Sequence, residues 1–335
     1  MAFNLRGGKI EAQSQGWTID SNVIKGLEID KFDLTWAYSP PDATPISDRM
    51  DKADSRTPVE NGSHMRIDEF SKYNHRLIDD YHIVDVVPVD IIRAECKDWK
   101  VEYKYNRDWF RSDHFKKEHD GLHIVFSGCS NTEGIGADIE NTWSHMLYTE
   151  ISKSVKTSGY FNLARAGSGW HRIIQNFHAY VNNYSAPDYL FILMPNILRN
   201  FKWYSGGWQY QQFNPWAEPE KRQEYIDMHR KEFPVWALMW NAFLDYCTAV
   251  GTKVVWTTWD EWELSNIEAI DQFKDTFFTI DPLTESEIAQ KYLHLLDRKD
   301  AARVRDGHDG YIQQTQWFEG FKEQVKIRGV LNETN

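Results

Sequence analysis

The stretch Ser127-Gly128-Cys129-Ser130-Asn131-Thr132-Glu133-Gly134 follows a short apolar run, Leu122 to Phe126, and precedes a helical pattern. A Ser at a tight strand-to-helix turn exposes its hydroxyl, and the backbone N–H groups that open the helix can stabilise a developing oxyanion. That is the chemistry of a nucleophile attacking an acyl carbon. The same position also suits a helix N-cap, the commoner duty of a Ser there. Gly-x-Ser-x-Gly is absent, so the nucleophile elbow of the α/β-hydrolases is not supported. Cys129 is a rival nucleophile, but its neighbours supply no cation to stabilise a thiolate, which predicts a buried small hydrophobe instead. A second loop, Asn162 to Gly169, contains Gly167, which lets a backbone amide approach a ligand closely. Its simpler reading is a turn with an N-cap at Ser168. A third loop begins Met194-Pro195-Asn196, and Asn after a strand is often a turn former. A fourth, Arg305 to Gly310, gathers Asp306, His308 and Asp309. Three metal ligands so close in sequence rarely close a site unaided, so no metal is expected.

These loops gain meaning from the elements around them. Leu122–Phe126, Tyr189–Met194 and Lys253–Thr258 read as buried strands. Between them, Trp143, Met146, Leu147 and Ile151 fall on one face of a 3.6-residue period, as do Trp170, Ile173, Ile174, Phe177 and Val181. A long helix is expected between about Pro219 and Val250, kinked or split at Pro234 and stopped at Gly251. Two more are expected over about 285–297 and 311–325. Strand–helix alternation of this kind gives a parallel sheet covered on both faces, with ligands beyond the carboxyl ends of the strands. Before it, Tyr81–Val89 and Trp99–Tyr105 read as strands. Residues 1 to about 65, rich in Ser, Asp, Pro and Gly, read as short strands and loops, either an irregular lobe or an arm that docks on a larger assembly. The division expected is an accessory N-terminal region, 1–105, and a main domain, 106–335.

Composition narrows the classes. The chain has 335 residues, 41% of them apolar, which is enough for a sizeable core. Its formal charge of −12 argues against nucleic acid as a partner. No apolar run approaches the roughly 18 residues of a membrane span. The N-terminal MAFNLRGGKI lacks the apolar core of a signal peptide, which leaves a cytoplasmic or particle-bound location as the expectation. Cys96, Cys129 and Cys247 make no disulfide framework and no CxxC pair. Between the third loop and the long helix lies an aromatic cluster that includes Trp203, Tyr204 and Trp208. Such faces stack on sugar rings, and they equally suit a lid packed on the N-terminal region.

The stretch Gly128-Cys129-Ser130-Asn131-Thr132-Glu133-Gly134 resembles block I of the SGNH (GDSL-like) hydrolases, Gly-Asp-Ser with a Gly four residues after the Ser. Cys129 stands where that family has Asp, a form similar to a branch of phage-encoded and bacterial SGNH-like proteins. Asn106 to Ser112 resembles the Asn-x-x-Gly-Phe-Arg stretch that precedes the catalytic domain in many such chains, with Trp109 in place of the Gly. The loop through Gly167 is similar to block II, and Asn196 to the Asn of block III, where Met194 and Ile197 replace the Gly and the Asp. Asp306 and His308 resemble block V. The likeness spans roughly residues 106–330.

The resemblance implies a three-layer α/β/α sandwich and a serine esterase or deacetylase that needs no cofactor. In it Ser130 is the nucleophile, His308 its base and Asp306 the group that orients the imidazole. The Ser130 and Gly167 N–H groups and the Asn196 side chain form the oxyanion site. With Trp203, Tyr204 and Trp208 as the substrate surface, the expected substrate is a small ester or an O-acetylated glycan. The competing expectation is a structural or glycan-binding protein, such as a virion or appendage component, that uses the fold without turnover.

Overall fold

The computed structural model describes residues 10–11, 18–19, 57–59, 63–69, 100–204, 207–211, 222–280, 287, 290–291 and 310–330. The strand expected over 81–89 lies outside these residues, as does nearly all of the helix expected over 285–297. In the N-terminal third, β1 (Ile10–Glu11) pairs with β2 (Thr18–Ile19). Strands β3 (Thr57–Val59), β4 (Ser63–Glu69) and β5 (Lys100–Tyr105) form an antiparallel sheet in that order.

The remainder is a three-layer α/β/α sandwich. Its central strands are β6 (Ile124–Gly128), β7 (Phe161–Asn162), β8 (Tyr189–Met194) and, after the hairpin β9 (Asn200–Tyr204) and β10 (Gly207–Gln211), β11 (Lys253–Thr258). They lie in the order β11-β8-β6-β7, every pair parallel. The helices are a single turn, α1 (Ser130–Glu133), then α2 (Trp143–Ser152), α3 (Trp170–Asn183), α4 (Arg222–Ala249), α5 (Glu261–Glu268) and α6 (Tyr311–Ile327).

Strand periodicity divides the core in two. Along β8, Leu190, Ile192 and Met194 face α3 and α4, where they meet Phe177, Trp236 and Trp240. Tyr189, Phe191 and Leu193 face the other way, against Leu147 of α2 and Trp317 and Phe321 of α6. A continuous apolar run on a strand therefore means a strand buried on both faces. Helix α4 is one element through Pro234 rather than two. Pro234 sits on the exposed side, where water can take the Arg230 carbonyl that loses its donor. Gly251, at φ +84°, ends the helix with its N–H on the Thr248 carbonyl at 3.1 Å. Cys129 and Cys247 are buried free thiols.

The strand order carries a functional consequence. From β6 the chain passes over one face through α2 to β7 and returns over the other through α3 to β8. The direction of winding thus reverses between β6 and β8, and the carboxyl ends of those two strands border the crevice such sheets use for ligands.

At the opposite end, His123 is buried beside β6. Its Nε2 lies 2.7 Å from the Tyr180 hydroxyl and its ring stacks on His119 at 3.4 Å. Burial, with His119 adding, depresses its pKa to about 3. Between pH 6.5 and 3 the unfolded chain then binds a proton that the native state refuses. Stability therefore falls as pH drops through that window, by at most about 1.4 kcal/mol per pH unit for this group. His123→Gln should flatten the pH dependence of Tm between pH 6.5 and 4; an unchanged slope would show that His123 is not its source.

Candidate active site

The loop after β6 is built on a glycine. A Cβ on Gly128 would lie 2.2 Å from Thr132 Oγ1 and 2.7 Å from the Leu193 carbonyl oxygen, so only Gly lets β6 run this close to both. Cys129 is the N-cap of α1 and makes no side-chain cap bond; its carbonyl accepts from the Thr132 and Glu133 N–H groups at 3.1 and 2.9 Å. Ser130 is thus the first helical residue and not the cap. It is 6% exposed, and its hydroxyl makes one long contact, 3.9 Å to the Cys129 sulfur.

A buried arginine fixes this turn from behind. Arg111, 2% exposed, donates to the Gly134 and Glu133 carbonyls at 2.6 and 3.2 Å, and its guanidinium lies 4.5 Å from the centre of the Tyr103 ring. Tyr103 in turn accepts the Gly136 N–H at 2.7 Å. The stretch before Arg111 is a shaped turn. Asn106 Oδ1 accepts the Asp108 and Phe110 N–H groups at 3.0 Å, and Trp109 is left-handed at φ +63°. In the sequence Arg111 stands only as one residue of the Asn106–Ser112 stretch, with no role of its own. Its signal is an Arg next to a core Phe.

The second loop is tied to the first. Asn162 Nδ2 donates to the Thr132 carbonyl at 2.9 Å, and the Glu133 carboxylate accepts the Ala166 N–H. Gly167 lies at the exposed tip at φ +74° with open space where a side chain would be. The cap of α3 is Gly169, not Ser168, whose buried hydroxyl has no hydrogen-bond partner among the described residues. The bare backbone at Gly169 lets the third loop close in, since a Cβ there would lie 2.0 Å from the Arg199 carbonyl oxygen.

In that third loop Asn196 is buried. Its Oδ1 accepts the Leu198 N–H at 2.7 Å and its Nδ2 donates to the Asp260 carboxylate. Asp260 follows β11, and Arg199 stacks over Trp259 at 5.0 Å, so the loops after β8 and β11 are joined twice. Beyond Asp260, the fully buried Glu263 of α5 meets His229 of α4 at 2.6 Å. Burial pushes the Glu263 carboxyl up, and the hydrogen bond from His229 opposes that shift. Asp260, Glu263 and His229 were all missed in the sequence. The available signal was an Asp two residues beyond a buried strand, opening a helix that was itself not foreseen.

Ser130, Gly167 and Asn196 therefore lie on loops at one edge of the sheet, on three adjacent strands. Asp306 and His308 lie outside the described residues. The helix that follows them is anchored at the same edge: Gln314 of α6 donates to the Asn131 carbonyl at 3.1 Å and accepts the Trp143 N–H at 2.9 Å. Trp203, Tyr204 and Trp208 belong to the β9–β10 hairpin, with Trp203 opposite Trp208 and Tyr204 opposite Gly207 in register. Among the described residues no group of three His, Cys, Asp or Glu could hold a metal ion.

No family model matches the chain, and no curated protein matches it. Among solved structures it is similar to TesA, at 14% identity over 61% of this chain and 97% of that one, with a TM-score of 0.33. It is also similar to the protein YxiM of Bacillus subtilis, at 13% identity over 69% of this chain and 60% of that one, with a TM-score of 0.39.

Replacing Arg111 by Ala strands two buried carbonyls and opens a void behind the Ser130 turn. The expected loss is about 2–4 kcal/mol, read as a lower denaturant midpoint. A midpoint within error of wild type would mean that Arg111 does not hold the turn.

Proposed function

We propose that the chain is a serine ester hydrolase of the SGNH type, with Ser130 as nucleophile. The observation that carries this reading is the position of Ser130, the first residue of a one-turn helix at the winding reversal, one strand from the Asn196 carboxamide. In the proposed reaction the Ser130 oxygen attacks the ester carbonyl while His308, oriented by Asp306, takes its proton. The negative charge on the carbonyl oxygen is met by the Ser130 and Gly167 N–H groups and by Asn196 Nδ2. The tetrahedral centre collapses and the alcohol leaves with the proton held by His308. Water then attacks the acyl-enzyme, giving its proton to His308, and the acid departs as Ser130 recovers its hydrogen. In favour of His308 is its distance along the chain, six residues before Gln314, which bonds the residue beside Ser130. Acyl transfer to a sugar hydroxyl in place of water is the same chemistry.

For the substrate we propose an O-acetylated carbohydrate. Supporting this is the hairpin that directly follows the Asn196 loop and carries Trp203, Tyr204 and Trp208, side chains of the kind that stack on sugar faces.

Turnover of a chromogenic acetate ester should fall about a thousandfold or more in Ser130→Ala and in His308→Ala, with circular dichroism unchanged. Equal rates in all three proteins, on acetylated polysaccharides as well, would overturn hydrolysis and leave a binding or structural role. Trp203→Ala and Trp208→Ala should raise KM on an acetylated glycan severalfold and leave the small ester unaffected. A parallel change on both substrates would remove the hairpin from the sugar site.

A further inference from the structure

We infer that Asp260 is a positioning residue that fixes the carboxamide of Asn196 for catalysis; the inference rests on the hydrolase reading above. A carboxamide is nearly symmetric in shape, and its orientation is chosen by its partners. Here the two partners demand opposite ends. The Leu198 N–H at 2.7 Å requires the oxygen, and the Asp260 carboxylate requires the NH2 group. With one N–H held by Asp260 and the amide planar, the direction of the second N–H is set.

Asp260 is itself held in register with Asn196. Its backbone N–H donates to Thr258 Oγ1 at 3.1 Å, and that hydroxyl donates to the Met194 carbonyl at 3.0 Å. Met194 and Thr258 are partners across β8 and β11. A closed ring of hydrogen bonds thus runs from the end of one strand to the end of the next and back through Asn196. Ile197, directly after Asn196, is buried among the core residues of the α3–α4 face, and the carboxylate beside Asn196 comes from the loop after the neighbouring strand.

Asp260 also directly precedes α5, where an Asp can serve as a helix cap. The two roles separate by side-chain length and chemistry. Ser caps a helix as well as Asp does, but it is too short to reach Asn196. Asn caps equally well and keeps an acceptor oxygen.

The test is steady-state hydrolysis of the chromogenic acetate by wild type, Ser130→Ala, Asp260→Ser, Asp260→Asn, Asn196→Ala and the Asn196→Ala/Asp260→Ser double variant. Asp260→Ser should lower kcat about 10- to 100-fold with KM within twofold, because a misdirected donor weakens the transition state and not ground-state binding. Asp260→Asn should recover most of that loss. In the Asn196→Ala background Asp260→Ser should cost nothing further. Asp260→Ser at the wild-type rate, or an equal fall with and without Asn196, would overturn the inference. A wild type no faster than Ser130→Ala overturns the hydrolase reading and this inference together. Turnover that needs Ser130 but not Asp260 overturns this inference alone.

Discussion

A buried guanidinium, with no carboxylate paired to it among the described residues, is the contact on which the rest of this edge depends. Arg111 is held by the carbonyls of Glu133 and Gly134, by the Glu102 carbonyl at 3.4 Å and by the face of Tyr103. A buried cation is stabilised when its hydrogens are met, as they are here at both terminal nitrogens though not at Nε, which has no hydrogen-bond partner among the described residues. Carbonyls left over at the end of a helical turn carry the complementary partial charge. The turn so anchored is α1, which begins with Ser130. One side chain therefore joins β5, through Glu102 and Tyr103, to the loop that presents the hydroxyl. The cluster of Val101, Tyr103, Tyr105 and Ile135 adds apolar area to the same junction.

From that anchor the remaining loops are tied in sequence across the sheet. Asn162 and Glu133 join the loops after β6 and β7. The approach of Gly169 to Arg199 joins the loops after β7 and β8. Asn196–Asp260 and Arg199–Trp259 join those after β8 and β11. Loops of a parallel sheet are separate excursions of the chain, and nothing in strand pairing alone fixes one against another. Polar side chains at the edge supply that order, which is what a site assembled from several strands needs.

Most of the sandwich was legible because its signals are local. The strand at 189–194 is an apolar run with no alternation, and the two-sided burial of Leu190 and Phe191 explains why; the one at 253–258 has a shorter apolar centre, Val254 to Trp256, likewise buried on both faces. The helices at Trp143 and Trp170 follow from period alone. Two-residue β7 is too short to leave a pattern, and it exists because Phe161 and Asn162 lie beside Val125 and Phe126. Helix α5 shows little apolar periodicity, and its placement depends on Asp260 and Glu263 finding partners from distant parts of the chain. The placement of Ser130, Gly167 and Asn196 in loops after strands was readable because those loops directly follow apolar or short strand segments. Arg111 and Asp260 were not, because the contacts that tie them to these loops, to Glu133 and Gly134 and to Asn196, span 22 or more positions.

The turn that leads into Arg111 shows how the surroundings hold an unfavourable backbone. Trp109 adopts the left-handed conformation that Gly takes most easily, at a cost of about 1–2 kcal/mol. The surroundings over-determine it. Asn106 captures the N–H groups on both sides, the Asn106 N–H meets the Phe110 carbonyl at 2.8 Å, and Arg165 donates to the Trp109 carbonyl. Phe110 is thereby delivered to the core and Arg111 to the Ser130 turn. The backbone around position 109 is thus held by its neighbours, and what it sets is where Phe110 and Arg111 arrive.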